Sequence, residues 1–146
     1  MVNINEILKT EESRISFLIG LVFLSKVDGI VDEREQSFFM GSAIALDLNS
    51  EAQDRIHSSW NEEEMPQLKF VDTKEKLFFI MQAIQLANID NSYSDIERNF
   101  IYTVAANLDI PKDLVKKIEP WVEDGIRWQT EGKKLLDLEV SSDGIW

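Results

Sequence analysis

Four carboxylates recur at one spacing in this chain. Asp28 is followed seven residues later by Glu35, and Asp90 is followed seven residues later by Glu97. The segments read Asp28-Gly29-Ile30-Val31-Asp32-Glu33-Arg34-Glu35 and Asp90-Asn91-Ser92-Tyr93-Ser94-Asp95-Ile96-Glu97. In each, an acid leaves an apolar run, Gly or Asn follows as a turn residue, and a second acid opens the next run. Carboxylates that converge repel one another unless a hard cation or a basic group sits among them. The chemistry open to such a set is therefore coordination of a divalent cation (calcium, magnesium or manganese), with Asp28, Glu35, Asp90 and Glu97 as the candidate ligands.

The same acids occur in the second half of an EF-hand loop, D-G-x-I-x-x-x-E. The first half is missing. The positions four and two before Asp28 are Leu24 and Lys26, and those before Asp90 are Leu86 and Asn88. Leu has no ligand oxygen and Lys26 would oppose the ion, so a standard EF-hand is disfavoured. A plainer reading competes with metal binding. Asp32 and Ser94 stand three residues before Glu35 and Glu97, the spacing of a capping box, in which the Glu carboxylate closes back on the cap N–H. Asp28 and Asp90 are also ordinary turn-capping acids. Glu35 shares a helix face with Phe39, Ser42, Ala43 and Leu46, and Glu97 shares one with Ile101, Val104, Ala105 and Leu108. Each Glu is thus expected at the edge of a core.

The elements that would hold these acids are helices. The residues from Glu12 to Val27 are apolar nearly all round and predict a buried helix that stops at Asp28-Gly29. A helix from Asp32 to about Leu46 follows. A capping box Ser50-Glu51-Ala52-Gln53 opens another to about Trp60, and the acidic stretch from Asn61 to Pro66 is a linker. Asp72-Thr73-Lys74-Glu75 caps an apolar helix that ends near Asp90-Asn91, and Ser94 opens one ending near Leu108. Pro111 fits the first turn of the next helix. Pro120 is expected to break or kink it, leaving a last helix from Ile126 to about Glu139 and a frayed end.

An internal duplication organises these elements. A shift of 62 residues aligns Phe17 with Phe79, Leu24 with Leu86, Asp28 with Asp90, Glu35 with Glu97, Phe38 with Phe100, Ala43 with Ala105 and Leu46-Asp47 with Leu108-Asp109, eight identities over 32 ungapped positions. Neither copy could bury its first helix alone, so the expected fold is one all-α domain over 1–146, about seven helices in two repeats related by a pseudo-two-fold. The first repeat spans about 12–60, the second about 74–122, and a C-terminal helix and tail fill 123–146.

The repeated helix–(Val/Ile)-Asp-(Gly/Asn)-x-x-(Asp/Ser)-x-x-Glu–helix unit, followed by Leu46-Asp47 or Leu108-Asp109, resembles the TerB-like (tellurite-resistance protein B) superfamily over roughly Glu12 to Glu123. The resemblance implies an all-helical, pseudo-symmetric fold and cytoplasmic stress-response or metal-related work. It also implies an acidic cluster for a divalent cation, at Asp28, Glu35, Asp90 and Glu97 here. The chain departs from the pattern at Asn91, at Val27 and Ile89, and in the extension after Glu123.

Composition narrows the function further. The chain has 146 residues, a net charge of −12, no Cys and one His. Such a surface repels phosphate backbones and anionic lipid, which argues against nucleic acid as a partner, and it attracts cations and basic proteins. Zinc-thiolate sites and a Cys nucleophile are excluded, and His57 alone makes no histidine site. No nucleophile–base pair or phosphate-binding Gly loop is present, so the reading is not an enzyme. The longest near-continuous apolar stretch is the eight residues from Phe17 to Leu24, too short for a membrane span. With no leader pattern at the N-terminus, a cytoplasmic location is expected. Trp60, Trp121, Trp128 and Trp146 either close core edges or face a partner. The first function expected is a non-enzymatic module binding a divalent cation at the duplicated acids. The alternative is an acidic protein-interaction or toxin-immunity module without a metal site.

Overall fold

A computed structural model describes residues 4–29, 33–89 and 93–136. These residues are helical with no strands. A single turn, α1 (Ile4–Ile7), precedes six longer helices: α2 (Glu11–Ser25), α3 (Glu33–Ala45), α4 (Ser50–Ser59), α5 (Thr73–Asn88), α6 (Asp95–Asn107) and α7 (Lys112–Leu135). None is long and apolar enough to cross a membrane. Contacts divide the chain into two compact units, 2–79 and 80–146, with the boundary inside α5.

In the first unit α2 is the buried element, as its all-round apolar pattern requires. Every residue from Ile15 to Leu24 is buried, and Ser13 with them. Thr10 caps it by accepting the Ser13 N–H at 3.0 Å. The chain leaves it through Gly29, whose φ of 84° is open to glycine at no steric cost. Helices α3 and α4 pack on α2 and on each other, with the Phe39 and Trp60 rings 5.8 Å apart. The start of α5 lies along α2. The Ser13 hydroxyl donates to Glu75 at 2.7 Å, and the Phe17 ring meets Phe78 in a stack at 5.5 Å and Phe79 edge-on at 6.1 Å. Ser13–Glu75 and Phe17–Phe79 each join a residue to its counterpart 62 positions on. Gly20 lets this approach happen, since a Cβ there would lie 2.5 Å from the Phe79 ring.

The second unit contains the rest of α5, with α6 packed on α7. Its buried apolar residues include Ile80, Ile84, Ile101, Val104, Val115, Ile118 and Val122.

The 62-residue spacing survives in the local geometry. Helices α2, α3 and α4 begin at 11, 33 and 50, and α5, α6 and α7 begin at 73, 95 and 112. Helices α3 and α6 end through the same Schellman turn. Asp47 (φ 62°) and Asp109 (φ 60°) adopt the left-handed conformation. The Leu48 N–H donates to the Ala43 carbonyl at 3.1 Å, and the Ile110 N–H to the Ala105 carbonyl at 2.8 Å.

Several sequence expectations need correction. The cap of α4 is Asn49, whose side chain accepts the Ala52 N–H at 2.9 Å. Ser50 is therefore the first helical residue, and Gln53 turns back to the Leu48 carbonyl at 2.8 Å instead of closing a box. Pro111 is the N-cap of α7. Helix α7 is one helix of 24 residues that runs through Pro120, not two. Pro120 and Lys116, whose carbonyl loses its partner, both lie on the exposed side. Water can satisfy that carbonyl while Val115, Ile118 and Val122 hold the turns on either side. The expected end at Glu139 lies outside the described residues.

Candidate functional site

The duplicated acids are positioned by the starts of α3 and α6. Ser94 caps α6, with its side chain accepting the Glu97 N–H at 3.2 Å. In return Glu97 Oε1 accepts the Ser94 N–H at 3.0 Å and the Ser94 hydroxyl at 2.9 Å. This is the complete capping box expected from Ser94-Asp95-Ile96-Glu97, and it occupies one of the two oxygens that a cation would use. Glu35 lies in the first turn of α3 and is exposed, with Phe39 buried one turn further on. Helix α3 buries only Phe39 and Ala43 among its thirteen residues, so its first turn stands clear of the core instead of at its edge. Asp28 is exposed in the turn after α2. Asp28 and Glu35 both interact with other groups of the chain. Asp90 and the cap residue Asp32 lie outside the described residues. Among the described residues, no three or more His, Cys, Asp or Glu side chains come together as a group that could hold a metal ion.

The end of α2 already carries a cation. Lys26 Nζ donates to the carbonyls of Ser59, the last residue of α4, and Glu62, in the loop that follows, so a cation sits at the negative end of that helix. The same ammonium sits 3.9 Å from the centroid of the Phe23 ring. Burial lowers its pKa, against a raising contribution from Glu62. The residue that opposes an EF-hand ion in the sequence thus ties α2 to the end of α4.

Two other carboxylates are more deeply placed than any of the candidate ligands described. Glu75 has no exposed surface. Its Oε2 accepts the Lys9 N–H at 2.8 Å, and its Oε1 accepts the Ser13 hydroxyl at 2.7 Å and the Val71 N–H at 2.6 Å. Asp72 caps α5 as expected, accepting the Glu75 N–H at 2.9 Å. The Glu75 side chain goes inward and does not return to the Asp72 N–H. Glu119, on α7, is 9% exposed. Its Oε2 accepts the Tyr93 hydroxyl at 2.7 Å and Arg98 Nε at 3.1 Å, and its Oε1 accepts the Tyr102 hydroxyl at 2.7 Å. The Arg98 guanidinium also lies 4.8 Å from the centre of the Tyr93 ring. Burial first, and the Glu119 carboxylate second, push the Tyr102 phenol up to about 12, and Tyr93 is raised further by the same causes. Neither cluster presents an unoccupied nucleophile or base. Each is a buried carboxyl group whose oxygens are taken by protein donors, which ties segments together.

A signal for both was present in the sequence. Glu75 stands at i−3 and i−4 from Phe78 and Phe79, and Glu119 stands among Val115, Ile118 and Val122, so both fall on core faces. Glu75 also completed a capping-box spacing, and that local pattern concealed its long-range role.

No family model, curated protein or solved structure matches this chain.

Proposed function

We propose that this chain is a non-enzymatic, TerB-like helical module that works by docking a basic protein partner, in a stress or tellurite-resistance setting in the cytoplasm. The observation that carries this reading is the capping box at Glu97. The best-defined acid of the duplicated motif is engaged in starting a helix, which favours an architectural role for these acids over coordination. Charge supplies the attraction. The chain carries −12 with a sequence pI of about 4.4, and Glu62, Glu63 and Glu64 are exposed together in the loop after α4. Encounter with a basic surface is accelerated by such a field and screened by salt.

Fluorescence anisotropy with labelled lysine- and arginine-rich peptides, at 50 and 500 mM salt, tests the reading. Saturable binding that weakens more than tenfold at the higher salt is expected. No binding at low salt, or binding indifferent to salt, contradicts it.

The identical seven-residue Asp-to-Glu spacing in both motifs favours a second reading, a divalent-cation site at Asp28, Glu35, Asp90 and Glu97. Calorimetric titration of calcium, magnesium and manganese into chelator-treated protein decides it. Saturable heat that disappears in Asp28→Asn/Asp90→Asn supports the site, and its absence up to millimolar ion removes it.

A further inference from the structure

Helix α7 changes character along its length. Its buried residues are Val115, Ile118, Glu119 and Val122. The thirteen residues from Glu123 to Leu135 remain helical with no buried side chain. That stretch contains two Gly, a Thr and a Trp, all poorer helix formers than Ala, and isolated helices of this length are marginal in water. It nevertheless presents an ordered apolar stripe. Trp121 is 54% exposed, Trp128 75% and Leu135 87%, each seven residues after the last. Gly125 and Gly132 follow the same period, three residues before Trp128 and Leu135. Together they form the alternating three-and-four spacing of a coiled-coil seam, with small residues at one set of positions and large ones at the other.

We propose that this stripe pairs with the same stripe of a second copy of the chain, the two α7 helices running antiparallel. The interface is independent of the basic-partner reading above. Three observations favour a second copy as the occupant. The first is self-complementarity. In the antiparallel register Gly125 lies opposite the partner's Trp128 and Gly132 opposite the partner's Trp121, so each Trp meets a glycine, as a self-complementary two-fold interface requires. A Cβ at Gly125 or Gly132 would meet no atom within 4 Å, so the hollow they form is open. The second is charge. Helix α7 carries six basic and five acidic residues in a chain of net −12. Two copies therefore meet there with little of the repulsion that the rest of the surface would impose. The third is area. The exposed parts of Trp121, Trp128, Leu135 and Leu136 amount to roughly 500–600 Å² per copy from the usual sizes of such side chains. The total for a pair is close to the ~1,200 Å² lower bound of specific interfaces, with Trp anchors at its centre.

Sedimentation velocity of the full chain from 5 to 500 μM tests the pairing. A reversible dimer is expected for the unaltered protein. Gly125→Leu fills the hollow while replacing Gly with a better helix former, so it should keep the helical circular dichroism and raise the dimer dissociation constant at least 100-fold. Trp128→Glu should do the same by removing the anchor. The absence of native Cys allows the register to be read directly. Gly125→Cys lies next to its symmetry mate and should oxidise to a linked dimer, whereas Gly132→Cys should not. A monomer at 500 μM overturns the proposal, whether 137–146 or another protein then covers the stripe. So does a dimer indifferent to both Gly125→Leu and Trp128→Glu, and equal linking at 125 and 132 overturns the antiparallel register.

Discussion

A carboxylate without exposed surface is costly unless its oxygens are occupied, and Glu75 meets that condition with three donors from three parts of the chain. Removing it strands the Lys9 and Val71 N–H groups and leaves the Ser13 hydroxyl only its contact with the Thr10 hydroxyl. Glu75→Ala should therefore cost about 3 kcal/mol in chemical denaturation. Glu75→Gln should cost about half as much, because one amide oxygen still accepts. A loss below about 1 kcal/mol for Glu75→Ala would show that the network contributes little. The Glu119 cluster has a spectroscopic signature. The chain has two Tyr, and both hydroxyls donate to Glu119. Tyrosinate absorbance of the folded protein should be absent at pH 10, with Tyr102 titrating near 12 and Tyr93 later. Glu119→Gln should move the Tyr102 midpoint down toward 10 while leaving part of the shift, since burial is its larger cause. Because the folded phenols titrate above the unfolded value of 10, their contribution to stability is complete below pH 10 and is lost as pH rises through the folded values. Native tyrosines that ionise together near 10 would contradict this arrangement.

Helix starts and stops were the most legible feature of the chain, because they are written in short-range chemistry. Ser94 to Glu97 and Asp72 act as caps where the spacing placed them, and Gly29, expected as a turn residue, has a positive φ. Local pattern misleads where short-range rules compete with packing. Asn49 displaced Ser50 because either residue can cap. Pro120 failed to break α7 because apolar residues on both sides of it stay buried. The single turn α1 was not foreseen, since four residues carry too little periodicity, although it leads directly into the fully buried Leu8. The stops of α3 and α6 give a prediction that belongs to both copies. Asp47 and Asp109 sit at positive φ, where glycine is free of the Cβ penalty. Asp47→Gly and Asp109→Gly should each stabilise the protein by up to about 1 kcal/mol. Opposite signs at the two positions would show that the turns differ in function or strain. Gly20→Ala should destabilise by about 2 kcal/mol, because the new methyl meets an aromatic ring packed in the core. No measurable change would mean that the Phe79 ring moves aside freely.

For the whole chain, the all-α class followed from helical periodicity, and the 62-residue spacing reappears in six helix starts and two Schellman turns. The fate of the acids was less legible, because a capping box and a ligand set can use the same residues at the same spacing. Only the direction of a side chain separates them, and for Glu97 that direction is toward the Ser94 N–H. The most direct measurement is the thermal unfolding midpoint of the unaltered chain and of Glu97→Ala, each in chelator and in 5 mM calcium, magnesium or manganese. If Glu97 is a helix-start residue, the variant loses about 1 kcal/mol, which is about 3 °C for a chain of this size, and the difference is the same in every buffer. A midpoint that rises with ion in the unaltered chain and not in Glu97→Ala would contradict the account, since only a ligand bound to the folded state through that carboxylate produces it.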